Sequence, residues 1–178
     1  MRAIPVAVAL VFALAASARA EPVKPSLAPV AFLVGRWANG TGKVADTGGS
    51  SRGSSTITPE AGGAVLLRRD HTDMFDASGR PTGGFDQIMM IYPEGGTLRA
   101  DYSDGEHVIH YTSAVVTPGR SVVFTTAAIA GVPIFRLSYD LTSADELAIS
   151  FAMAPPNQTE FHPVATGVVH RVQSVPTP

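Results

Sequence analysis

Short runs of alternating apolar and polar residues recur along most of the chain, separated by Gly, Pro and Asp. Alternation with a period of two marks half-buried strands, and the interruptions mark turns. Arg36–Val44, Gly53–Pro59 and Ala64–Phe75 read as strands, the third ending at Asp76–Gly79. Phe85–Tyr92 stops at Pro93–Gly96, Thr97–Tyr102 at Asp104-Gly105, and Glu106–Val116 at Pro118-Gly119. Ser121–Ala127, Pro133–Leu141, Glu146–Met153 and Thr166–Gln173 follow. Asp-Gly between alternating runs is a strong hairpin signal. No stretch carries a sustained 3.6-residue period. One short helical turn is expected over Leu27–Leu33, with Ser26 as its cap and Gly35 as its stop.

Tight connections make neighbours in sequence antiparallel neighbours in space. A meander of about ten strands flattens poorly and tends to curl and close, which removes its edges. The expected fold is therefore all-β, a single antiparallel up-and-down barrel with a short N-terminal helical turn.

Residues 1–20 have a different character. Met1-Arg2 is a positive start, Ala3–Ala16 is apolar apart from Pro5, and Ala18-Arg19-Ala20 supplies an A-x-A site. This is the layout of a secretory signal peptide cleaved after Ala20. An apolar run of about 14 residues falls short of the roughly 20 that span a bilayer. A secreted or periplasmic protein is expected, with no membrane span after cleavage. The remaining layout is a Pro-rich leader arm over 21–31, a barrel domain over 32–174 and a tail over 175–178.

Composition changes meaning once that segment is set apart. The 178-residue chain has a formal net charge of −2 and a mean hydropathy of +0.17. Removing Arg2 and Arg19 leaves 11 basic residues against 15 acidic ones, a net charge of −4. Much of the positive hydropathy leaves as well. No basic footprint for nucleic acid is present. The absence of cysteine excludes disulfides, thiolate metal sites and a Cys nucleophile. There is no P-loop, G-x-S-x-G elbow or H-E-x-x-H.

Gly35-Arg36-Trp37, opening the first strand, resembles the G-x-W motif of the calycins, the lipocalin and fatty-acid-binding barrels. The lead Phe32-Leu33-Val34-Gly35-Arg36-Trp37, with Gly40 or Gly42 following, is similar to ten-stranded nitrobindin-type barrels. The resemblance implies that Arg171, in the last strand, packs across Trp37 and closes one end. Gly35, Trp37 and Arg171 are then structural. It also implies a haem-binding possibility, since nitrobindin-type barrels bind haem through a His near the C-terminus. His170 lies in that region, although its surrounding residues do not match the motif.

The other candidates depend on which side of the sheet they face. In Asp70-His71-Thr72-Asp73, His71 and Asp73 share a face with Arg69, while Asp70 and Thr72 share the other with Arg68. The first group offers a His–carboxylate pair, or simply a solvated strand end. His107 and His110 fall on opposite faces of a strand and do not share a metal. His107 and Tyr111 lie in the row with Ile109, read as interior. Phe85, Gln87, Met89 and Ile91 form a second interior row, in which Gln87 is an unusual polar member. Phe135, Leu137 and Tyr139 form an apolar row opposite Arg136. Arg136 is surface if that row is core, or an anchor for a ligand carboxylate if the lumen is polar. The candidate ligand contacts are thus Arg69, His71, Gln87, Met89, His107, Tyr111, Arg136 and Tyr139, with no metal ligands and no assigned catalytic residue.

The leading expectation is an exported barrel holding a small, mostly apolar molecule. Three alternatives stay open: a haem barrel using His170 or His107, a small barrel enzyme pairing His71 or His107 with an aspartate, and a packed domain with no ligand. No cofactor is expected outside the haem reading.

Overall fold

The computed structural model describes residues 21–172. The segment read as a signal peptide and the terminal tail lie outside the described residues. A 3-10 helix, Pro25–Leu33, precedes ten strands. These are β1 (Gly35–Val44), β2 (Ser50–Glu60), β3 (Val65–Phe75), β4 (Pro81–Glu94) and β5 (Thr97–Ser103). Then follow β6 (Val108–Thr117), β7 (Ser121–Thr126), β8 (Ile134–Ser143), β9 (Glu146–Ala154) and β10 (His162–Arg171). Each pairs antiparallel with its sequence neighbours, and β10 closes on β1 to make a ten-stranded barrel. The all-β, closed, up-and-down architecture expected from the alternation is the one observed. No described helix is long and apolar enough to cross a membrane.

Turn chemistry sets the pairing. The β4–β5 hairpin has a two-residue loop, Gly95-Gly96, with φ of 59° and 81°. Positive φ at both positions is the demand of the twisted two-residue hairpin, and glycine meets it without steric cost. Bulges re-aim residues elsewhere. One in β1 lies between Trp37 and Gly40, and one in β6 between Tyr111 and Ser113.

The two ends of the barrel differ. Leu27, Val30 and Leu33 recur every third residue, the period of a 3-10 helix, so they share one face. All three are fully buried against the end where β2 meets β3 and β6 meets β7. The backbone there is tied by Lys24 N–H to Gly63 C=O at 3.0 Å and Gly119 N–H to Pro29 C=O at 2.9 Å. Residues 25–31, expected as part of a leader arm, are therefore a stopper belonging to the barrel. Ser26 makes no cap, because Pro25 already occupies the first helical position, which suits a residue without N–H. Ile57, Leu66, Ile91, Leu98, Val122 and Leu147 fill the lumen above this stopper.

Trp37 and Arg171 complete the floor. They are register partners across β1 and β10, with the guanidinium 4.1 Å above the indole. Arg171 Nη1 donates to Val34 C=O at 2.8 Å and Nη2 to Phe32 C=O at 3.0 Å. Trp37 Nε1 donates to Leu33 C=O at 2.8 Å. One indole and one guanidinium thus satisfy the carbonyls at the end of the 3-10 helix, which would otherwise be orphaned.

Candidate functional site

Above the packed floor the lumen is open. A well of about 820 Å³ runs to the mouth formed by the start of β6 and the ends of β3 and β5. Its walls are largely apolar, with Phe85, Ile109, Leu137, Ile149, Phe151 and Val169 among the lining residues. Phe135 and Phe151 stack on adjacent strands with centroids 5.6 Å apart. Gly40, Gly42, Gly53 and Gly167 leave one wall without side chains. Cβ atoms there would run into neighbouring strands, so the bare wall also lets β1, β2 and β10 approach closely.

A polar layer separates the well from the floor. Arg68 projects inward from β3 and is 7% exposed, beside fully buried Met89 and Tyr139. Its Nε and Nη2 donate to Asp70 Oδ2, and Nη2 also to Gln87 Oε1 at 3.1 Å. Its Nη1 donates to Tyr139 Oη and contacts Met89 Sδ at 3.6 Å. Gln87 Nε2 donates in turn to Thr72 Oγ1 at 2.9 Å. Burial disfavours the charged guanidinium, but the Tyr139 oxygen and the Asp70 carboxylate outweigh it and move the Arg68 pKa up. Burial likewise pushes the Tyr139 phenol up to about 12, and Tyr102 and Tyr111 also upward. All three stay protonated donors near neutral pH.

The mouth is ordered by one aspartate. Asp104 Oδ1 accepts from the N–H groups of Glu106 at 3.0 Å and His107 at 2.7 Å, and Oδ2 accepts from Tyr102 Oη at 3.2 Å. Burial raises the Asp104 pKa, but these hydrogen bonds outweigh it and hold the carboxyl below its ordinary range.

The structure sorts the candidate residues by side. Gln87, Met89, Tyr111 and Tyr139 project into the lumen, Gln87 and Tyr111 lining the open well and Met89 and Tyr139 meeting Arg68. His107 stands at the rim, largely exposed. Arg69, His71 and Arg136 are on the outer face. Leu66, Arg68 and Asp70 pair with Ile91, Met89 and Gln87 of β4, so β3 turns that row inward and the Arg69–His71 row outward. His71 is bonded to Asp86 at 2.7 Å and Asp73 at 3.3 Å on the surface. Arg136 lies outside the apolar Phe135–Leu137–Tyr139 row, with its guanidinium 3.6 Å from the Phe161 ring centroid. His170 is exposed on the outer face opposite Ala38, because its neighbour Arg171 takes the inward position. It therefore cannot present its ring to the lumen.

Arg68, Asp70 and Ser55 were not among the expected contacts, yet they make the polar end of the well. Both rows of β3 carry apolar residues and charges, so the strand alone does not say which faces inward. The deciding signal is the β4 row Phe85, Gln87, Met89 and Ile91, once the cross-strand pairs are known. An irregularity between Met74 and Phe75 prevents those pairs from being counted through the turn.

No family model matches this sequence, and no curated protein matches it. Similar solved structures include a de novo designed fluorescence-activating β-barrel, 13% identical over 83% of this chain and 98% of that one, with a TM-score of 0.42. An S-type phycobiliprotein lyase from Guillardia theta is 9% identical over 81% of this chain and 90% of its own, with a TM-score of 0.48. A protein of unknown function from Nostoc punctiforme is 8% identical over 84% of this chain, all of that chain being covered, with a TM-score of 0.32.

Proposed function

We propose that this protein is an exported binding protein that holds a small, mostly apolar molecule in the open half of its barrel. The observation that carries the reading is the well itself, about 820 Å³ with an apolar wall and a polar base. Small-molecule sites run to roughly 300–1,000 Å³ and combine apolar walls with a few placed polar groups. Each 100 Å² of apolar wall and ligand surface withdrawn from water contributes about 2.5 kcal/mol before the costs of ordering the ligand. An open well also argues against a packed domain with no room for a ligand. None of the five histidines projects into the buried lumen, and only His107 reaches its rim. That placement weighs against a haem or His–Asp site inside the barrel. The stacked Trp37–Arg171 floor behind Gly35 supports a calycin-type reading of the fold, of the nitrobindin- or fatty-acid-binding-like kind. Export rests on residues 1–20 and is checked by the N-terminal sequence of the protein recovered outside the cytoplasm.

Titration with the neutral fluorophore Nile red tests the binding reading. A saturable signal is expected from the parent protein. It should be lost in Ala165→Phe, which fills the well from β10. No saturable signal from the parent protein, or an unchanged one in the filled variant, sinks the proposal.

A further inference from the structure

Arg68 at the base of the well invites comparison with arginines that anchor ligand carboxylates, but its bonding is complete. A guanidinium has five N–H donors. Here Nε faces Asp70, Nη2 faces Asp70 and Gln87, and Nη1 faces Tyr139 and Met89. Its charge is already matched by the buried Asp70 carboxylate. What the base of the well offers instead are two other atoms. Asp70 Oδ1 and Ser55 Oγ are buried, and no described protein group hydrogen-bonds to either. The Asp70 side chain and Ser55 are each only 9% exposed, and both line the well. They are also direct register partners across β2 and β3. Facing residues on one side of an antiparallel pair have Cβ atoms about 5 Å apart, so one small polar group, admitted from the well by a small turn of either side chain, reaches both.

The chemistry of the pair is specific. A carboxylate oxygen only accepts, whereas a serine hydroxyl donates and accepts. A buried polar atom left without a partner is costly. A group that donates to Asp70 and accepts from Ser55 removes both costs together. A carboxylate head does the reverse: it has no proton for Asp70 and adds a second negative charge beside it.

Resting on the lumen-binding reading, we propose that the bound molecule carries at its buried end a neutral group that both donates and accepts a hydrogen bond, in its simplest form a hydroxyl, held between Asp70 Oδ1 and Ser55 Oγ. The lumen thereby selects alcohols and phenols over carboxylates of the same skeleton.

The experiment uses Nile red displacement with two matched sets: dodecan-1-ol, 1-methoxydodecane and dodecanoate, and 1-naphthol, 1-methoxynaphthalene and 1-naphthoate. At least one hydroxyl compound is expected to displace the dye tenfold or more better than both its methyl ether and its carboxylate. Ser55→Ala, which removes a donor that alcohol and ether alike can accept from, should weaken displacement by the alcohol several-fold while keeping the alcohol ahead of the ether, because only the alcohol donates to Asp70. Asp70→Asn leaves the Arg68 charge unmatched and should turn the preference toward the carboxylate. Equal displacement by alcohol and ether, a parent protein that prefers the carboxylate, or bound dye that no hydroxyl compound displaces overturns the head-group assignment and leaves the binding reading standing. A parent protein that never binds Nile red and is not stabilised against unfolding by any of the six compounds overturns both.

Discussion

Replacing Gly35 by alanine tests how the floor of the barrel is built. Gly35 sits at φ 138°, a region essentially reserved for glycine, and holding another residue there costs about 1–3 kcal/mol. A Cβ at this position would also stand 2.7 Å from Arg171 Nη1. The guanidinium must then leave its place over Trp37 and weaken its bonds to Val34 and Phe32. Arg171→Ala alone removes two short charge-assisted hydrogen bonds and one cation–π contact, besides a long, weak bond from Nε to Ala144 C=O at 3.4 Å. At about 1–1.5 kcal/mol each for partly exposed groups, that loss is about 3 kcal/mol. Gly35→Ala should cost about 4 kcal/mol, combining backbone strain with part of that loss. In the double variant the collision has no target, so the total should be about 5 kcal/mol, a coupling of about 2 kcal/mol. Urea unfolding followed by fluorescence measures all four corners of the cycle. Trp37 is the only tryptophan in the chain and reports on the floor directly. Single costs that add within about 0.5 kcal/mol, or a Gly35→Ala cost below about 1 kcal/mol, would refute the reasoning.

Four further outcomes are expected. Ala165→Phe should abolish dye binding while the urea midpoint moves little, because the ring enters open space and displaces no packed neighbour. Leu33→Ala, in a fully buried side chain of the stopper, should cost about 2–5 kcal/mol in the same unfolding assay. Arg68→Met leaves the Asp70 carboxylate buried and unpaired and should cost about 3–5 kcal/mol, whereas Arg68→Met with Asp70→Leu should recover most of that stability. The His71 imidazole should titrate above its ordinary value in an NMR pH series, because Asp86 first and Asp73 second hydrogen-bond it, and Asp86→Asn should bring the value down. The sign follows from the raised folded-state pKa: this contribution is complete below about pH 6.5 and is lost as the pH rises through the folded value.

The strands were legible because the chain alternates and its turns carry glycine and aspartate. Thr97–Tyr102 was expected and β5 is Thr97–Ser103, bounded by Gly95-Gly96 and Asp104-Gly105. Boundaries drifted where side chains compete with the ladder. An expected strand start at Glu106 moves to Val108, because the Asp104 carboxylate takes the N–H groups of Glu106 and His107. β10 begins at His162 rather than Thr166, with an irregularity between Pro163 and Ala165 absorbing the proline. The row on β8 was readable because apolar Phe135, Leu137 and Tyr139 alternate with Arg136, Ser138 and Asp140. On β3 the two sides are chemically alike, and a one-residue choice there exchanges Arg68 and Asp70 for Arg69 and His71. The polar base of the well rests on that choice, so it became visible only with the cross-strand pairs. The stopper was hidden for another reason. The three-residue spacing of Leu27, Val30 and Leu33 marks a buried face, but nothing local says that the barrel end is what buries it.

The stopper has a consequence for traffic. A tube with both ends open can be loaded from either side, whereas the described residues form a doorway at the β5–β6 end and a wall of Leu27, Val30, Leu33 and Trp37 at the other. Whatever enters must go in nose first and come out backwards. The protein therefore responds to the order in which a molecule carries its groups as well as to their identity. Two isomers with the same hydroxyl and the same hydrocarbon chain are not equivalent if one presents the hydroxyl at its tip and the other midway along. The trailing end remains at the doorway, where a linker or resin can be attached without disturbing what lies below.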